Sequence, residues 1–299
     1  MRMHGGGFYR RYIMFKTTIL MGLMTALLMV IGDYIGGSSG MSFMLVFSIL
    51  SNILMYWFSD KIVISQYNAQ PVDAQSAPQL VGIVEGLARR ANLPMPKVYV
   101  IDTALPNAFA TGRNPSHAAV CVTTGLMEML TPREIAGVLG HEMSHVLHND
   151  ILISTIAAGM AGVISLMARF AFWFGGSRDD RRNNPLAGIL MLVLTPIAAA
   201  IIQLAISRTR EYMADYSGGA LSGDPDALAD ALEKIDGVAR VHTMPQATEA
   251  TAHMFIISPF SAKDAQALFS THPPTEKRIA RLREEGEKLR AEGKIDPLV

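Results

Sequence analysis

The sequence contains 299 residues, of which 50% are hydrophobic and only 17% are charged, and its mean hydropathy is +0.26. Soluble domains carry about 25% charged residues, so this composition argues against a wholly soluble protein. Because 26 Lys and Arg balance 26 Asp and Glu, no basic excess points to nucleic acid, and we expect no nucleic-acid partner. The single cysteine, Cys121, excludes an internal disulfide and lies in a run typical of a buried strand.

Two uncharged apolar stretches near the N-terminus predict a membrane hairpin. The spans cover about residues 17–35 and 41–58, close to the roughly 20 residues that cross hydrocarbon, and a glycine-rich turn at 36–40 connects them. No small-residue cleavage pattern follows the first span, which favours a retained anchor over a cleaved signal peptide. Basic residues precede the first span and none lies in the turn, so the positive-inside rule places both ends of the hairpin in the cytoplasm.

Residues 61–150 have the composition of a soluble domain. Apolar residues recur at helical spacing from Leu80 to Ala91, and Asn92-Leu93-Pro94 predicts the end of that helix. Three short β-type runs then predict a small sheet. These runs lie at 97–101, 108–111 and 118–123.

A second pair of apolar stretches, about 151–176 and 186–206, contains charged and proline residues. Arg169 lies inside the first of them, and the arginine-rich loop 177–184 between them opposes the positive-inside rule. The pair either crosses the membrane against this charge bias or forms a hairpin that enters without crossing. Both alternatives stay open.

The chain after residue 206 is again soluble in composition. Asp224-Pro225-Asp226 predicts a helix start, and the charge-laced segment 274–293 predicts a helix with a solvated charged face. The predicted organisation is a membrane hairpin, a first soluble part, a second membrane hairpin and a second soluble part. Their bounds are 1–60, 61–150, 151–206 and 207–299.

A helix start and a metal-binding motif lie together in the first soluble part. Thr131-Pro132-Arg133-Glu134 is a capping box, so a helix begins there. His141 and His145 then lie one helical turn apart on the same face, a spacing at which two imidazoles can hold one zinc ion. Glu142 projects beside the metal, where its carboxylate can accept a proton from a water molecule.

A second constellation directly follows the fourth apolar stretch. Glu211 and Asp215 are one helical turn apart, so a metal-binding carboxylate and a carboxylate that orients a histidine can share one face. The ends of an antiparallel helical hairpin lie about 8–10 Å apart, so the second hairpin returns Glu211 to the histidines. His148 lies about 10 Å along the helix from His141, too far to share a zinc ion with it. Glu211 is therefore the predicted third ligand.

Simpler interpretations of these motifs are an ordinary helix carrying two histidines and a solvated acidic face. An intramembrane protease would need the histidines inside an apolar span, but Arg133, Glu134, Asn149 and Asp150 flank them. A structural zinc scaffold would normally offer four protein ligands, frequently thiolates, whereas three are found here and no cysteine lies nearby in the sequence. The open position favours catalysis.

The sequence resembles the HtpX family of membrane-bound zinc metalloproteases, relatives of the CAAX prenyl proteases. The resemblance covers nearly the whole chain and includes the N-terminal pair of spans. Its motifs are Pro106-Asn107-Ala108-Phe109-Ala110-Thr111-Gly112, His141-Glu142-Met143-Ser144-His145, the run 207–215 and His272-Pro273-Pro274-Thr275-Glu276-Lys277-Arg278.

The resemblance implies proteolytic quality control of misfolded or damaged membrane proteins, as part of a stress response, in the bacterial plasma (inner) membrane. It implies one Zn²⁺ ion per chain on His141, His145 and Glu211, with Glu142 catalytic. It also implies that His272 lies near the scissile carbonyl oxygen. Substrate backbone is expected to pair with an edge strand. The residues of that strand are Asn107, Ala108, Phe109, Ala110 and Thr111.

Together these observations predict an α+β membrane protein. Its soluble part is a mainly helical, zincin-like metallopeptidase domain with a small β-sheet, and two transmembrane hairpins anchor it. The expected partners are unfolded or membrane-protein substrates and the lipid bilayer, with the active site on the cytoplasmic side. The sequence leaves substrate preference, regulation and oligomeric state open.

Overall fold

The computed structural model describes residues 6–157, 160, 207–241, 256 and 273–299. Helix α1 spans Gly6–Gln66 and is broken at Gly36 and Gly37, where Gly37 has φ 58° and ψ −150°, a conformation open essentially to glycine alone. Its two arms contain helices long and apolar enough to cross a membrane, Arg11–Tyr34 and Gly36–Phe58. Both predicted N-terminal helices are present, with a tighter connection than the predicted five-residue turn.

The two arms of α1 pack closely against each other. A Cβ atom placed on Gly40 would lie 2.2 Å from the carbonyl oxygen of Gly32, so the arms approach to backbone contact there. Further along, Thr25 shares a 2.7 Å hydrogen bond with Ser48 and accepts a 3.1 Å hydrogen bond from Asn52. Large apolar side chains remain exposed on the outer faces, as expected of lipid-facing helices. They include Leu23, Val30, Phe43, Val46 and Leu54.

A four-stranded mixed sheet follows α1. Its strands are β1 (Gln70–Val72), β2 (Lys97–Ile101), β3 (Ala108–Gly112) and β4 (Ala118–Thr123). The order is β1-β2-β4-β3, with β2 and β4 parallel and the other two pairs antiparallel, so β3 is an edge strand. The three sequence-predicted strands are confirmed. Strand β1 was not predicted, because three largely exposed residues give no alternating pattern.

In the described residues six further α-helices follow, apart from the 3-10 turn Pro115–His117 and the helical residues 151–157 that are described below. They are α2 (Pro78–Ala91), α3 (Thr124–Met129), α4 (Pro132–Leu147), α5 (Arg208–Ser222), α6 (Pro225–Val241) and α7 (Thr275–Ala291). Helix α2 ends as predicted at Asn92, whose φ of 52° is left-handed. The predicted capping box opens α4: Thr131 N–H donates to the Glu134 carboxylate at 2.8 Å, and Glu134 N–H donates to the Thr131 hydroxyl at 3.4 Å.

The sheet carries a hydrophobic cluster on each face. The larger cluster joins it to α2, α4 and α6 through residues such as Val84, Val120, Val138, Leu139 and Leu228. The smaller cluster joins it to the end of α1, where Val63 packs with Phe109 and Cys121. Cys121 is fully buried, as predicted, and burial raises the pKa of its thiol to about 12.

The start of the third apolar stretch lies against the N-terminal membrane hairpin. Residues 151–157 are helical, and Leu152, Ile153 and Ile156 pack with Leu20 of the first α1 arm. Apart from residue 160, the remainder of the predicted second hairpin, including the arginine-rich loop 177–184, lies outside the described residues, and so does His272.

Candidate active site

Helices α4 and α5 bring the two predicted metal-binding motifs together. His141 is buried and His145 half-buried, and their Nε2 atoms are 3.2 Å apart. Helix α5 adds the buried Glu211, with Oε2 3.6 Å from His141 Nε2 and Oε1 3.8 Å from His145 Nε2. Residues that are 66 positions or more apart in sequence thus meet at one point.

Two glycines allow the helices to approach closely enough for this meeting. A Cβ atom on Gly140 would lie 2.6 Å from the carbonyl oxygen of Gly218. A Cβ atom on Gly218 would lie 2.6 Å from the backbone nitrogen of His141. Any larger residue at either position would push α5, and with it Glu211, away from the histidines.

The three side chains fit a zinc ion. Tetrahedral coordination with bonds near 2.1 Å places neighbouring ligand atoms about 3.4 Å apart. The two imidazole nitrogens are 3.2 Å apart, and each lies within 4 Å of one of the two Glu211 carboxylate oxygens. With one donor atom taken from each residue, the three atoms lie within 4.8 Å of one another, which leaves a small adjustment of the carboxylate to close the site. Two imidazole nitrogens and one carboxylate also form a donor set that zinc prefers in catalytic sites. His148, as expected, is not a member of this group.

The electrostatics of the group favour positive charge. Burial alone would lower the pKa of His141, but hydrogen bonds to Asp215 and Glu211 outweigh burial and raise the pKa to about 9. Burial raises the pKa of Glu142, which lies beside the group. A cation at this point would therefore be attracted by carboxylates that are already concentrated there.

Asp215 lies where a carboxylate can orient His141. Its Oδ1 is 2.9 Å from His141 Nδ1, the ring nitrogen that does not face Glu211. Arg278 of α7 donates two hydrogen bonds to the same carboxylate, of 2.9 and 2.7 Å. Burial would raise the pKa of Asp215, but the Arg278 charge and the His141 hydrogen bond lower it to about 2. The carboxylate is therefore ionised and fixed behind the imidazole.

Sequence reasoning missed Arg278. The α7 segment was interpreted as a helix with a solvated charged face, but this interpretation is wrong for Arg278, which is 1% exposed. Arg278 also donates a 2.7 Å hydrogen bond to the carbonyl oxygen of Ile256. The available signal was its position four residues before the buried Leu282, which places both side chains on the inner face of α7.

His145 has a carboxylate of its own. Its Nδ1 lies 3.4 Å from Oδ2 of the buried Asp150, and Asp150 Oδ1 lies 3.6 Å from Arg210 of α5. Each histidine of the pair thus has one ring nitrogen towards Glu211 and the other towards an aspartate. Asp150 was not predicted for this role, because it was considered only as a marker of the soluble region.

Glu142 contacts the edge strand β3. The backbone N–H of Ala110 donates a 3.0 Å hydrogen bond to Glu142 Oε2. Asn107 accepts a backbone hydrogen bond from Thr123 on β4, so alternation leaves the N–H and C=O groups of Ala108, Ala110 and Gly112 on the side of β3 that faces away from β4. At the far end of this side, the Gly112 N–H donates a 3.4 Å hydrogen bond to the Thr155 hydroxyl. The free backbone edge therefore faces the carboxylate that was predicted to be catalytic.

The predicted substrate-binding residues lie on or next to this strand, but they differ in what they expose. The side chains of Phe109 and Thr111 are buried, and Phe109 packs on Tyr67 with ring centroids 5.3 Å apart. The side-chain oxygen of Asn107 accepts a hydrogen bond from Ile256 N–H at 3.2 Å. Substrate contact at β3 is consequently available to the backbone of Ala108 and Ala110 rather than to these side chains.

Comparisons with known proteins agree with this geometry. Residues 74–286 match the family described as peptidase family M48. The chain is 54% identical over 270 residues to a protease HtpX homologue from Methylibium petroleiphilum, which covers 89% of this chain and 95% of the relative. It is 56% identical over 272 residues to one from Burkholderia thailandensis, covering 90% and 95%.

A solved structure shares the fold. The crystal structure of S. mikatae Ste24p aligns with a TM-score of 0.50 at 20% identity, over 92% of this chain and 66% of that chain. At this low identity, the similarity shows that the two chains share a fold.

Proposed function

The chain belongs to peptidase family M48 as a homologue of protease HtpX, and from this membership we propose that it hydrolyses peptide bonds of misfolded or damaged membrane proteins. The observation that carries the proposal is the group formed by His141, His145 and Glu211 with Glu142 beside it. Three protein ligands leave a coordination position open, which suits catalysis better than a closed structural site.

The roles of the side chains follow from their positions. His141, His145 and Glu211 would hold one zinc ion per chain, and Asp215 and Asp150 would orient the two imidazoles. Zinc at this point would polarise the scissile carbonyl and lower the pKa of a water molecule. Glu142 takes the proton from the attacking water and delivers it to the leaving amine. His272 is proposed to stabilise the developing negative charge on the carbonyl oxygen.

The same arrangement supports a membrane protease with its site outside the hydrocarbon. Helix α4 is packed in the cluster with α2 and α6, whereas the lipid-facing residues lie on α1. The basic N-terminus favours a cytoplasmic active site in the bacterial inner membrane. A single cysteine at Ser38, labelled from outside the cell by a membrane-impermeant thiol reagent in a Cys121→Ser background, tests this orientation. A label that appears only after permeabilisation would invert it.

The proposed division of the chain into two membrane hairpins and a peptidase domain in two parts follows from the same site. His145 precedes the second hairpin and Glu211 follows it, so the parts 61–150 and 207–299 complete one another. Whether the second hairpin crosses the bilayer does not change this conclusion, since either form returns the chain to the same side.

Substitution of Glu142 tests the function most directly. Glu142→Gln keeps the size of the side chain but removes the base, so zinc content should stay near one per chain while cleavage of an unfolded protein such as casein falls about 10²- to 10⁴-fold. Metal analysis and cleavage are measured on the same purified protein. Full activity in the variant would contradict the mechanism, and loss of zinc would show that Glu142 is structural.

A further inference from the structure

The end of the membrane hairpin that lies nearest the sheet has the features of a membrane–water interface. Tyr12 and Trp57 are partly exposed at the start of the first arm and at the end of the second. Lys16 lies 4.7 Å from the Tyr12 ring centroid, and Lys61 lies 5.3 Å from that of Phe58. Aromatic rings at the headgroup level with lysines reaching outward are typical of such an interface.

The C-terminal end of the edge strand lies at this interface. Arg113 directly follows β3, and its guanidinium donates a 3.3 Å hydrogen bond to the carbonyl oxygen of Trp57 and lies 4.8 Å from the Trp57 ring centroid. The neighbouring Thr111 shares a 3.1 Å hydrogen bond with Thr155, within the segment that packs on the first arm. The Gly112 end of β3 is thus held both by the second arm of α1, through Trp57, and by the helical segment 151–157, through Thr155.

Strand β3 approaches this interface alongside α1. Tyr67, just past the end of α1, packs on Phe109, while Trp57 contacts Arg113. The ten residues from Trp57 to Tyr67 span about 15 Å of helix, and the four residues from Phe109 to Arg113 span about 13 Å of strand. Because these two lengths agree, the strand and the helix lie side by side and run antiparallel to each other.

The position of the catalytic carboxylate on this strand sets a distance from the membrane. Glu142 contacts Ala110, three residues from Arg113, so it lies about 10 Å from the headgroup level along the strand. A polypeptide that leaves the membrane beside α1 would need about three extended residues to reach the edge of β3 at Ala110, where it could pair with the strand next to Glu142.

Resting on the proposed function, we propose that the substrate of this site is the extended segment of a membrane-anchored polypeptide immediately next to its membrane span. Anchoring confines such a segment to the height at which β3 presents its free edge, which raises its effective concentration there. A segment held far above the membrane gains nothing from the anchor. The strand and its attachment at Arg113 would therefore select cleavage positions by their height above the bilayer.

A series of anchored substrates tests this inference with the full zinc-loaded chain in liposomes. Each substrate carries one membrane helix, a spacer and the same extended segment. Rigid helical spacers of about 7, 14 and 21 residues raise the segment by about 10, 20 and 30 Å, and Gly/Ser spacers of equal length are the matched flexible set. The Glu142→Gln variant is the inactive control for cleavage.

Without a spacer, mass spectrometry should locate the cut within about five residues of the span. Turnover should fall at least tenfold with the longest rigid spacer and less steeply with flexible spacers, whose effective concentration declines as about the −3/2 power of length. Equal turnover at every rigid spacer would overturn this inference and leave the peptidase function intact. No cleavage of any substrate by the zinc-loaded chain would overturn both.

Discussion

Asp215 and Arg278 form a fully buried, two-bonded ion pair directly behind His141. Because the Asp215 carboxylate accepts a hydrogen bond from His141 Nδ1, the lone pair of Nε2 is directed towards Glu211 and His145. Helix α7, at the far end of the sequence, thereby fixes the tautomer and orientation of a residue on α4. The metal group thus depends on three helices rather than two.

Replacing Arg278 should weaken metal binding and stability together. Arg278→Met leaves the buried Asp215 carboxylate without its ion-pair partner, which should cost about 3–5 kcal/mol of unfolding free energy and about 10- to 100-fold in zinc affinity. Competition with a chromophoric chelator and thermal unfolding measure the two effects. Arg281→Met on the same helix, where the guanidinium stacks 3.8 Å from the Tyr212 ring centroid, is the control and should retain zinc affinity. Equal zinc affinities in both variants would contradict the orienting role.

Glu211 and His148 should differ sharply in their effect on zinc stoichiometry. Glu211→Gln removes the charge of a carboxylate whose Oε2 lies 3.6 Å from His141 Nε2 and whose Oε1 lies 3.8 Å from His145 Nε2, so zinc should be lost on dialysis. His148→Ala should retain about one zinc ion per chain, because His148 is not part of the ligand group. Metal analysis of the two purified variants measures this difference. The reverse result would require a different third ligand.

The contact between Gly140 and Gly218 should tolerate no side chain. Gly140→Ala places a methyl group 2.6 Å from the Gly218 carbonyl oxygen, so α4 and α5 must separate, at a cost of about 1–3 kcal/mol and with weaker zinc binding. Gly237→Ala on α6 is the matched control, because a Cβ atom there meets nothing within 4 Å. It should leave zinc affinity unchanged and stabilise the helix by about 0.5–1 kcal/mol. Thermal unfolding with and without zinc compares them, and equal behaviour would show that the helices move apart at no cost.

The elements that the sequence predicted are those whose signals are local. The four-residue spacing of His141 and His145, the capping box at Thr131 and the run 118–123 each depend on neighbours within one element. Glu211 was also predicted, because an antiparallel hairpin between residues 151 and 206 brings the chain back to the two histidines. Arg278 was missed, since its burial arises from packing between α7 and α5, and a charge-rich helix gives little indication of one inward-facing arginine.

The edge strand offers a test in which recognition and catalysis can be separated. Ala108 and Ala110 both direct their backbone N–H groups to the free side of β3, but only the N–H of Ala110 bonds to Glu142. Proline at either position removes one of these donors, while φ near −65° remains compatible with an edge strand. Both substitutions should therefore raise KM for extended substrates that pair with β3.

Only Ala110→Pro should also lower kcat, on the order of 10- to 100-fold, on a short peptide that cannot pair with the strand, because the Glu142 carboxylate loses the donor that positions it. Zinc content and thermal unfolding are measured on both variants, so that a misfolded protein is recognised before kinetics are compared. Unchanged turnover in folded, zinc-containing Ala110→Pro would remove β3 from both roles. Equal kcat values for the two proline variants on the short peptide would show that Glu142 is positioned by other contacts, and that β3 serves recognition alone.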